Sequence, residues 1–194
     1  GLKTSRYFVE QGEPIEVELI VTDLEGTAAV GSLIEAQAAR LVWKYQEGRW
    51  QEVEEDFQDC RVSSEKTPVT CEFETPAGGR YRIKAQVTDD QGRVNESRIT
   101  RWVSGGERPP SRSVEREELT LVPNQETYRP GDVAEILVQA PFSGGEGLVT
   151  ISRSGIISED SFSMDGSSHT IRIPIKEEYL PNLHIQVDVV GSAP

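Results

Sequence analysis

Histidine, the usual proton carrier in acid–base and nucleophilic catalysis, occurs only twice in this chain, as His169 and His184. A nucleophilic triad needs a serine or cysteine beside a histidine that a carboxylate orients. His184 alternates with apolar residues, and His169 follows a polar turn. Both patterns are typical of ordinary surface or half-buried strand residues. We therefore expect no catalytic residue and no enzyme activity in this chain.

Adjacent carboxylates occur at two places, Glu54-Glu55-Asp56 and Glu177-Glu178. Two carboxylates can cleave a glycosidic bond only when both face that bond. Neighbouring residues of a strand point to opposite faces of the sheet, so these groups cannot act together. We expect them to be solvated surface residues.

Two further motifs suggest ligand binding but lack the residues that binding requires. The segment Gly144-Gly-Glu-Gly147 has the glycine content of a phosphate-binding loop, but it lacks a Lys-Ser/Thr end and a following helix. The acidic segments 21–26 and 87–92 lack the alternating ligands and the terminal glutamate of an EF-hand calcium loop. We interpret the first as a hairpin turn and the others as chain reversals. We expect no metal and no cofactor.

The two cysteines, Cys60 and Cys71, lie on opposite sides of the turn-forming segment 63–68. This is hairpin spacing, and facing cysteines on paired strands can meet disulfide geometry. Closing so short a loop stabilises a fold by roughly 2 to 3 kcal/mol in the chain-entropy model. The alternative is a pair of buried free thiols, whereas a metal site is disfavoured because no histidine or second cysteine pair lies nearby. A disulfide would indicate an oxidising compartment.

An aromatic cluster, Trp43, Tyr45 and Trp50, could form a stacking platform for a carbohydrate. Aromatic residues on paired strands more often pack a core or cover a sheet edge. The platform interpretation supports an alternative function class, a cell-surface binding module such as an adhesin or a polysaccharide-binding tandem.

The charge of the chain excludes several partners. The formal net charge is −13 and the isoelectric point is near 4.7, a field that repels phosphate backbones and anionic lipid surfaces. We therefore expect no nucleic acid partner and no direct membrane contact. No window approaches the ~18 consecutive apolar residues of a membrane span. The first residues do not form a signal peptide, and we expect that the chain was trimmed from a longer precursor.

The elements that would position these residues are short strands. Ile15, Val17, Leu19 and Val21 alternate with polar residues, as a half-buried strand requires. Further strands are predicted over 33–45, 50–57, 70–73, 81–88, 97–103, 119–122, 133–140, 148–152, 161–164, 170–175 and 184–190. Glycine, proline, asparagine or aspartate separates these runs, and almost no helix is expected. This rhythm predicts an all-β chain of antiparallel β-sandwiches.

A break in the apolar pattern divides the chain. Residues 105–116 contain Gly-Gly and Pro-Pro pairs and carry no strand signal, so they are predicted to form a linker. The predicted domains are residues 1–104 and 117–194. Both open in the same way, with Tyr7 or Tyr128 preceding a turn and an alternating strand.

Three extended segments of the second half cover residues 119–142, 147–155 and 176–190, the last containing Tyr-Leu-Pro-Asn before a strand. These segments resemble the macroglobulin domain that precedes the bait region in bacterial α2-macroglobulins. The first half is similar over residues 7–15 and 79–85, but such patterns also occur in many fibronectin-like sandwiches. The resemblance implies two tandem fibronectin-III-like macroglobulin domains.

The resemblance also implies a function for the longer protein. In this family a protease cuts an exposed bait segment, the body rearranges, and a reactive thioester captures the attacker. The thioester motif Cys-x-Glu-Gln is missing, since Cys71 precedes Glu-Phe-Glu and Cys60 precedes Arg-Val-Ser. The bait segment would follow Val190, and the last strand of the second domain could lie beyond it. The resemblance therefore implies that the chain is scaffold in a broad-range endopeptidase inhibitor.

The partners and compartment follow from the same resemblance. The expected partners are other macroglobulin domains of the parent chain, and target proteases that are bound through parts absent here. The expected location is extracytoplasmic, in the periplasm or at the cell surface, where the parent could carry a lipid anchor.

Overall fold

A computed structural model describes residues 1–106 and 118–191 of the chain. The chain divides into two compact units, Gly1–Val103 and Ser104–Pro194. Within the described ranges the structure contains no helix that is long and apolar enough to span a membrane.

The first unit is a two-sheet antiparallel sandwich. Its strands are β1 (Leu2–Lys3), β2 (Phe8–Val9), β3 (Ile15–Leu19), β4 (Leu33–Gln46), β5 (Arg49–Ser63), β6 (Val69–Phe73), β7 (Gly79–Thr88) and β8 (Val94–Val103). One sheet has the order β1-β3-β6 and the other β2-β8-β7-β4-β5. All pairs are antiparallel except β2 with β8. This is the arrangement of immunoglobulin- and fibronectin-like sandwiches.

The core of the first unit comes from strict alternation in the strands. In β3 the buried residues alternate with exposed glutamates, as the sequence pattern predicts. Val17, Tyr81 and Ile83 are fully buried between the sheets. The Tyr81 hydroxyl donates a hydrogen bond of 2.8 Å to the Ala77 carbonyl four residues upstream, which resembles the tyrosine corner of Greek-key sandwiches.

The β4–β5 hairpin is longer than the rest of its sheet. Pairing of β4 with β7 ends at Leu41 and Arg80, but pairing with β5 continues to Gln46 and Arg49. A register shift between Ala38 and Arg40 marks a bulge within the hairpin. Beyond Leu41 the two strands of the hairpin therefore pair only with each other.

The second unit is a smaller sandwich. Its strands are β9 (Thr120–Pro123), β10 (Val133–Gln139), β11 (Gly145–Ser152), β12 (Ile156–Met164), β13 (Ser168–Pro174) and β14 (His184–Val190), with a 3-10 helix at Glu177–Tyr179. The sheets have the orders β13-β10-β9 and β12-β11-β14. Ala134, Val138, Val149 and Ile173 are among the buried residues between them. The all-β, fibronectin-like fold class is thereby confirmed.

Most of the predicted linker, residues 107–116, lies outside the described residues. Its first two residues belong to the second unit. The Gly105 amide donates to Ser168 Oγ at 2.7 Å, and the Ser167 hydroxyl donates to the Gly106 carbonyl at 2.6 Å. The first two residues of the predicted linker are therefore hydrogen-bonded to the second unit.

Two local predictions were wrong about strand pairing. The cysteines are not on a hairpin, because β5 and β6 belong to different sheets. The segment 144–147 is not a hairpin turn, because β10 and β11 also belong to different sheets and the segment leads from one sheet to the other. In both cases the chain crosses between layers at a point where spacing alone suggests a simple reversal.

Candidate functional site

The disulfide joins the two sheets of the first unit. Cys60 on β5 and Cys71 on β6 are bonded, with Cα atoms 6.1 Å apart. Cys71 is buried in the core, and Cys60 packs against its edge. The bond therefore ties β5, at the edge of one sheet, to β6, at the edge of the other.

A ladder of ion pairs covers the outer face of the five-stranded sheet. Arg80 and Arg82 on β7 donate to Glu52 on β5 at 2.9 and 3.4 Å. Arg82 and Lys84 donate to Glu54 at 2.8 and 2.9 Å. The hydrogen bonds from Lys84 and Arg82 hold the pKa of the Glu54 carboxyl below its usual value.

The ladder has a structural role. Beneath it lie Ala39 and Leu41, which are buried although they face away from the core between the sheets. The aliphatic stems of the charged residues shield these side chains from water. The other two predicted carboxylates are also in ion pairs, Glu55 with Lys44 and Asp56 with Arg40 at 2.7 Å. These groups are thus occupied by neighbouring cations and do not converge on one point.

The aromatic cluster lies at the extended tip of the β4–β5 hairpin. Trp43, Tyr45 and Trp50 are between 37% and 53% exposed. Tyr45 and Trp50 face each other across the strands with ring centroids 5.7 Å apart and an interplanar angle of 64°. This edge-on arrangement stabilises the hairpin. The two rings do not form one flat surface of the kind on which a sugar ring stacks.

The two histidines lie on different strands of the second unit. His169 on β13 stacks on the Phe162 ring, with centroids 4.5 Å apart and an interplanar angle of 15°. His184 is the exposed first residue of β14. The Phe162 ring also covers Gly147, where a Cβ atom would lie 2.1 Å from the ring. Packing thus accounts for the position of His169.

The two acidic segments form matching turns in the first unit. Asp23 Oδ1 accepts hydrogen bonds from the amides of Glu25 and Thr27 at 3.1 and 2.7 Å. Asp89 Oδ1 accepts in the same way from the amides of Gln91 and Arg93 at 3.0 and 2.8 Å. The carboxylates are used to close the turns. Among the residues described, no group of three His, Cys, Asp or Glu side chains could hold a metal ion.

Sequence reasoning missed the ion-pair ladder. Its signal was present, since Arg80, Arg82 and Lys84 alternate at strand spacing and so do Glu52 and Glu54. Charged residues at alternate positions of a strand lie on one face of the sheet, so those of two strands can form ion pairs on that face. The partners were not evident because β4 separates β5 from β7 in the sheet order.

The chain is tightly held where it leaves β14. A Cβ atom on Gly191 would lie 2.4 Å from the Phe142 ring and 2.6 Å from the Gly144 carbonyl oxygen. A Cβ atom on Gly145 would lie 2.6 Å from the Val190 carbonyl oxygen. Glycine at these positions lets the end of β14 pass close to the start of β11, so the exit point is fixed up to residue 191.

Comparison with known proteins assigns the family. The family model of the alpha-2-macroglobulin bait region domain matches residues 119–194, almost the whole second unit. An alpha-2-macroglobulin homolog of Yersinia pestis is 33% identical over 150 residues, which cover 77% of this chain and 7% of the relative. The chain belongs to the bacterial alpha-2-macroglobulin family. The resemblance noted in the sequence is thereby confirmed.

Other members of the alpha-2-macroglobulin family match both units. A homolog of Nostoc sp. is 22% identical over 198 residues, which cover 98% of this chain and 10% of the relative. A structure of the native conformation of Escherichia coli alpha-2-macroglobulin is 19% identical, with a TM-score of 0.37, and the match covers 95% of this chain and 12% of that one. The chain thus spans no more than 10% of the length of these curated relatives.

Proposed function

We propose that this chain is scaffold within a bacterial alpha-2-macroglobulin-like inhibitor that traps endopeptidases after they cut a bait segment. The match of the bait region domain to residues 119–194 carries the proposal. In this proposal residues 1–104 and 117–194 are two macroglobulin domains, and residues 105–116 link them. The domains transmit cleavage of the bait as altered contacts between rigid sandwiches.

The described residues suit a scaffold. Each unit has its own buried core, and the first is closed further by the Cys60–Cys71 bond. Glu54 is in an ion pair, Asp23 closes a turn and His169 stacks on Phe162, so these three candidates do not converge on a site. Rigid bodies of this kind can move as units when a connecting segment is cut.

The exit of β14 suggests where the bait begins. The chain is packed against Phe142 and Gly144 up to Gly191. A protease needs several residues of extended, accessible chain in its active-site cleft. We therefore propose that the bait starts beyond residue 191 and that the two sandwiches remain intact during cleavage.

The position of β14 at the edge of its sheet supports a proposal about the last strand of the second domain. In the first unit the corresponding strand, β7, lies between β4 and β8. In the described part of the second unit, β14 pairs with β11 only. An edge strand with free backbone groups can accept another strand. We propose that the last strand of this domain follows the bait and pairs with β14.

The disulfide supports an extracytoplasmic location, in the periplasm or at the cell surface. Disulfides persist in oxidising compartments and are rare in the cytosol. The proposed partners are other macroglobulin domains of the parent and target proteases. The parent would meet these proteases outside the cytoplasm.

The test uses the full parent chain and trypsin. The expected result is an SDS-resistant covalent complex that contains the protease and forms only after the parent is cut. Parent treated beforehand with methylamine, which consumes a thioester, should be cut but should not capture trypsin. Cleavage without covalent capture in the untreated parent would contradict the trap.

The alternative function is a cell-surface binding module, such as an adhesin or a polysaccharide-binding tandem. The exposure of Trp43, Tyr45 and Trp50 is the observation in its favour, whereas the edge-on packing of Tyr45 against Trp50 provides no flat surface for a sugar ring. A glycan array tests it directly. Binding at micromolar affinity or tighter, abolished by Trp50→Ala in a protein that still unfolds cooperatively, would favour this module over scaffold.

A further inference from the structure

A cavity of about 910 Å³ opens at one end of the first unit. The connection between β3 and β4 and the turn between β7 and β8 form its walls. Its floor includes Leu19, Ile34 and Ala85, which belong to the buried core between the sheets. The cavity therefore combines an apolar floor that reaches the core of the sandwich with polar and charged walls, and the floor could accept apolar side chains of a partner.

The mouth of this cavity carries exposed apolar side chains. Leu24 is 101% exposed at the tip of the β3–β4 connection, and Val94 at the start of β8 is 61% exposed. Both line the cavity. Single exposed apolar residues are common, but two of them beside one cavity favour an interaction site.

The turn that carries Leu24 is well ordered. Thr22 and Ala28 form a β-bridge, and the Asp23 amide donates to the Thr27 carbonyl at 2.9 Å. Together with the two hydrogen bonds accepted by the Asp23 carboxylate, these contacts fix the loop on both sides of Leu24. The backbone on both sides of Leu24 is therefore fixed before a partner binds, which lowers the backbone entropy lost on docking.

The rim of the cavity is acidic. Asp23, Glu25, Asp89 and Asp90 contribute four carboxylates, and Arg93 contributes one guanidinium. Asp89 and Arg93 form an ion pair at 2.6 Å, which leaves an excess of negative charge. Complementary potentials favour a partner surface with lysine or arginine around an apolar centre.

The beginning of the chain shows the direction from which such a partner comes. Gly1 and Ile20 exchange two backbone hydrogen bonds, of 2.6 and 3.0 Å. These bonds extend the β1–β3 ladder to the cavity, and Gly1 itself lines the wall. A residue before Gly1 would continue this antiparallel path beside Val21, at the mouth of the cavity and close to Leu24.

We propose that this end of the first unit is the docking surface for the domain that precedes Gly1 in the parent chain. That domain places apolar side chains on Leu24 and Val94 and in the cavity mouth, and basic side chains on the acidic rim. The proposal rests on the proposed function only in that the chain is part of a longer macroglobulin. A covalent link at Gly1 gives the docking domain a high effective concentration at this surface.

The test compares cysteine labelling of Leu24→Cys in the uncut parent and in the 194-residue chain. The two cysteines of this chain are bonded to each other, and peptide mapping identifies the labelled position. A docked state that is populated nine times in ten slows maleimide labelling at position 24 by about tenfold. The control is Glu16→Cys, an exposed position on β3 remote from the cavity, which should react at the same rate in both proteins.

A second variant tests the charge of the rim. The double substitution Glu25→Lys and Asp90→Lys should raise the labelling rate of Leu24→Cys in the parent towards the rate of the isolated chain. Because nearby lysines raise the thiolate fraction at position 24, the same substitutions are also made in the isolated chain, and the ratio of the two labelling rates should approach one. Equal labelling of Leu24→Cys in both proteins would overturn the proposal, and so would protection in the isolated chain accompanied by dimerisation, which would show that a second copy covers the surface.

The labelling experiment and the capture experiment test the docking surface and the protease trap separately. The labelling experiment uses uncut parent and no protease. Unprotected Leu24→Cys in a parent that still captures trypsin would remove only the docking surface. Protected Leu24→Cys in a parent that captures no protease would remove only the trap.

Discussion

Removal of the disulfide should destabilise the first unit and leave the second unchanged. The bond joins residues 11 positions apart, and the chain-entropy relation gives about 2.8 kcal/mol at 25 °C for a loop of that length. The double variant Cys60→Ala, Cys71→Ala also removes a buried sulfur atom at Cys71, which is 1% exposed. The expected loss in free energy of unfolding is therefore about 3 to 4 kcal/mol.

Urea unfolding followed by tryptophan fluorescence measures this loss in the first unit, because Trp43, Trp50 and Trp102 all belong to it. Amide hydrogen exchange follows the second unit at the same time. Reduction of the wild-type disulfide should reproduce the entropic part of the loss without the truncation. A loss in free energy of unfolding below about 1 kcal/mol would show that the bond does not hold the two sheets of the first unit together. An equal loss of amide protection in both units would show the same.

Three further changes test the packing described above. Glu54→Gln should destabilise the first unit by under about 1 kcal/mol at pH 7. Because the pKa of Glu54 is lowered in the folded state, this difference in stability should be lost as the pH falls below about 4. Urea titrations of both proteins at each pH would measure it. Tyr81→Phe removes a hydrogen bond to a backbone carbonyl and should cost about 1 kcal/mol by the same assay, whereas an unchanged midpoint would show that the bond contributes nothing. Gly147→Val forces a Cβ atom onto the Phe162 ring and should destabilise the second unit by about 2 kcal/mol by calorimetry, whereas Gly155→Ala, in open space, should be neutral.

Much of the fold could be predicted because alternation and turn residues are local signals. Residues 15–21 read as a half-buried strand, and β3 follows that pattern at Ile15–Leu19. The predicted strand 184–190 and the observed β14, His184–Val190, have the same bounds. The strands β1 and β2 were not predicted, because two residues are too few to show a period.

The remaining features depend on pairing between distant strands. β5 continues to Ser63, well beyond the predicted end at Phe57, because pairing with β4 stabilises a polar segment that carries little strand signal of its own. The cysteine pair was found from spacing, but its position between the two sheets was not, since spacing does not show which sheet a strand joins. The cavity with Leu24 at its mouth was also not found, because the sequence does not show which loops share one end of the sandwich.

We propose that both sandwiches are intact scaffold and that the segment cut by target proteases lies beyond Gly191. The most direct measurement maps the first cuts made in the folded parent by trypsin and by a protease of different specificity, while covalent capture is followed on denaturing gels. The first cuts are expected after Gly191, with β1 to β14 intact, and the cutting protease should be captured. First cuts within residues 1–106 or 118–191, or cuts beyond Gly191 without capture, would contradict this proposal.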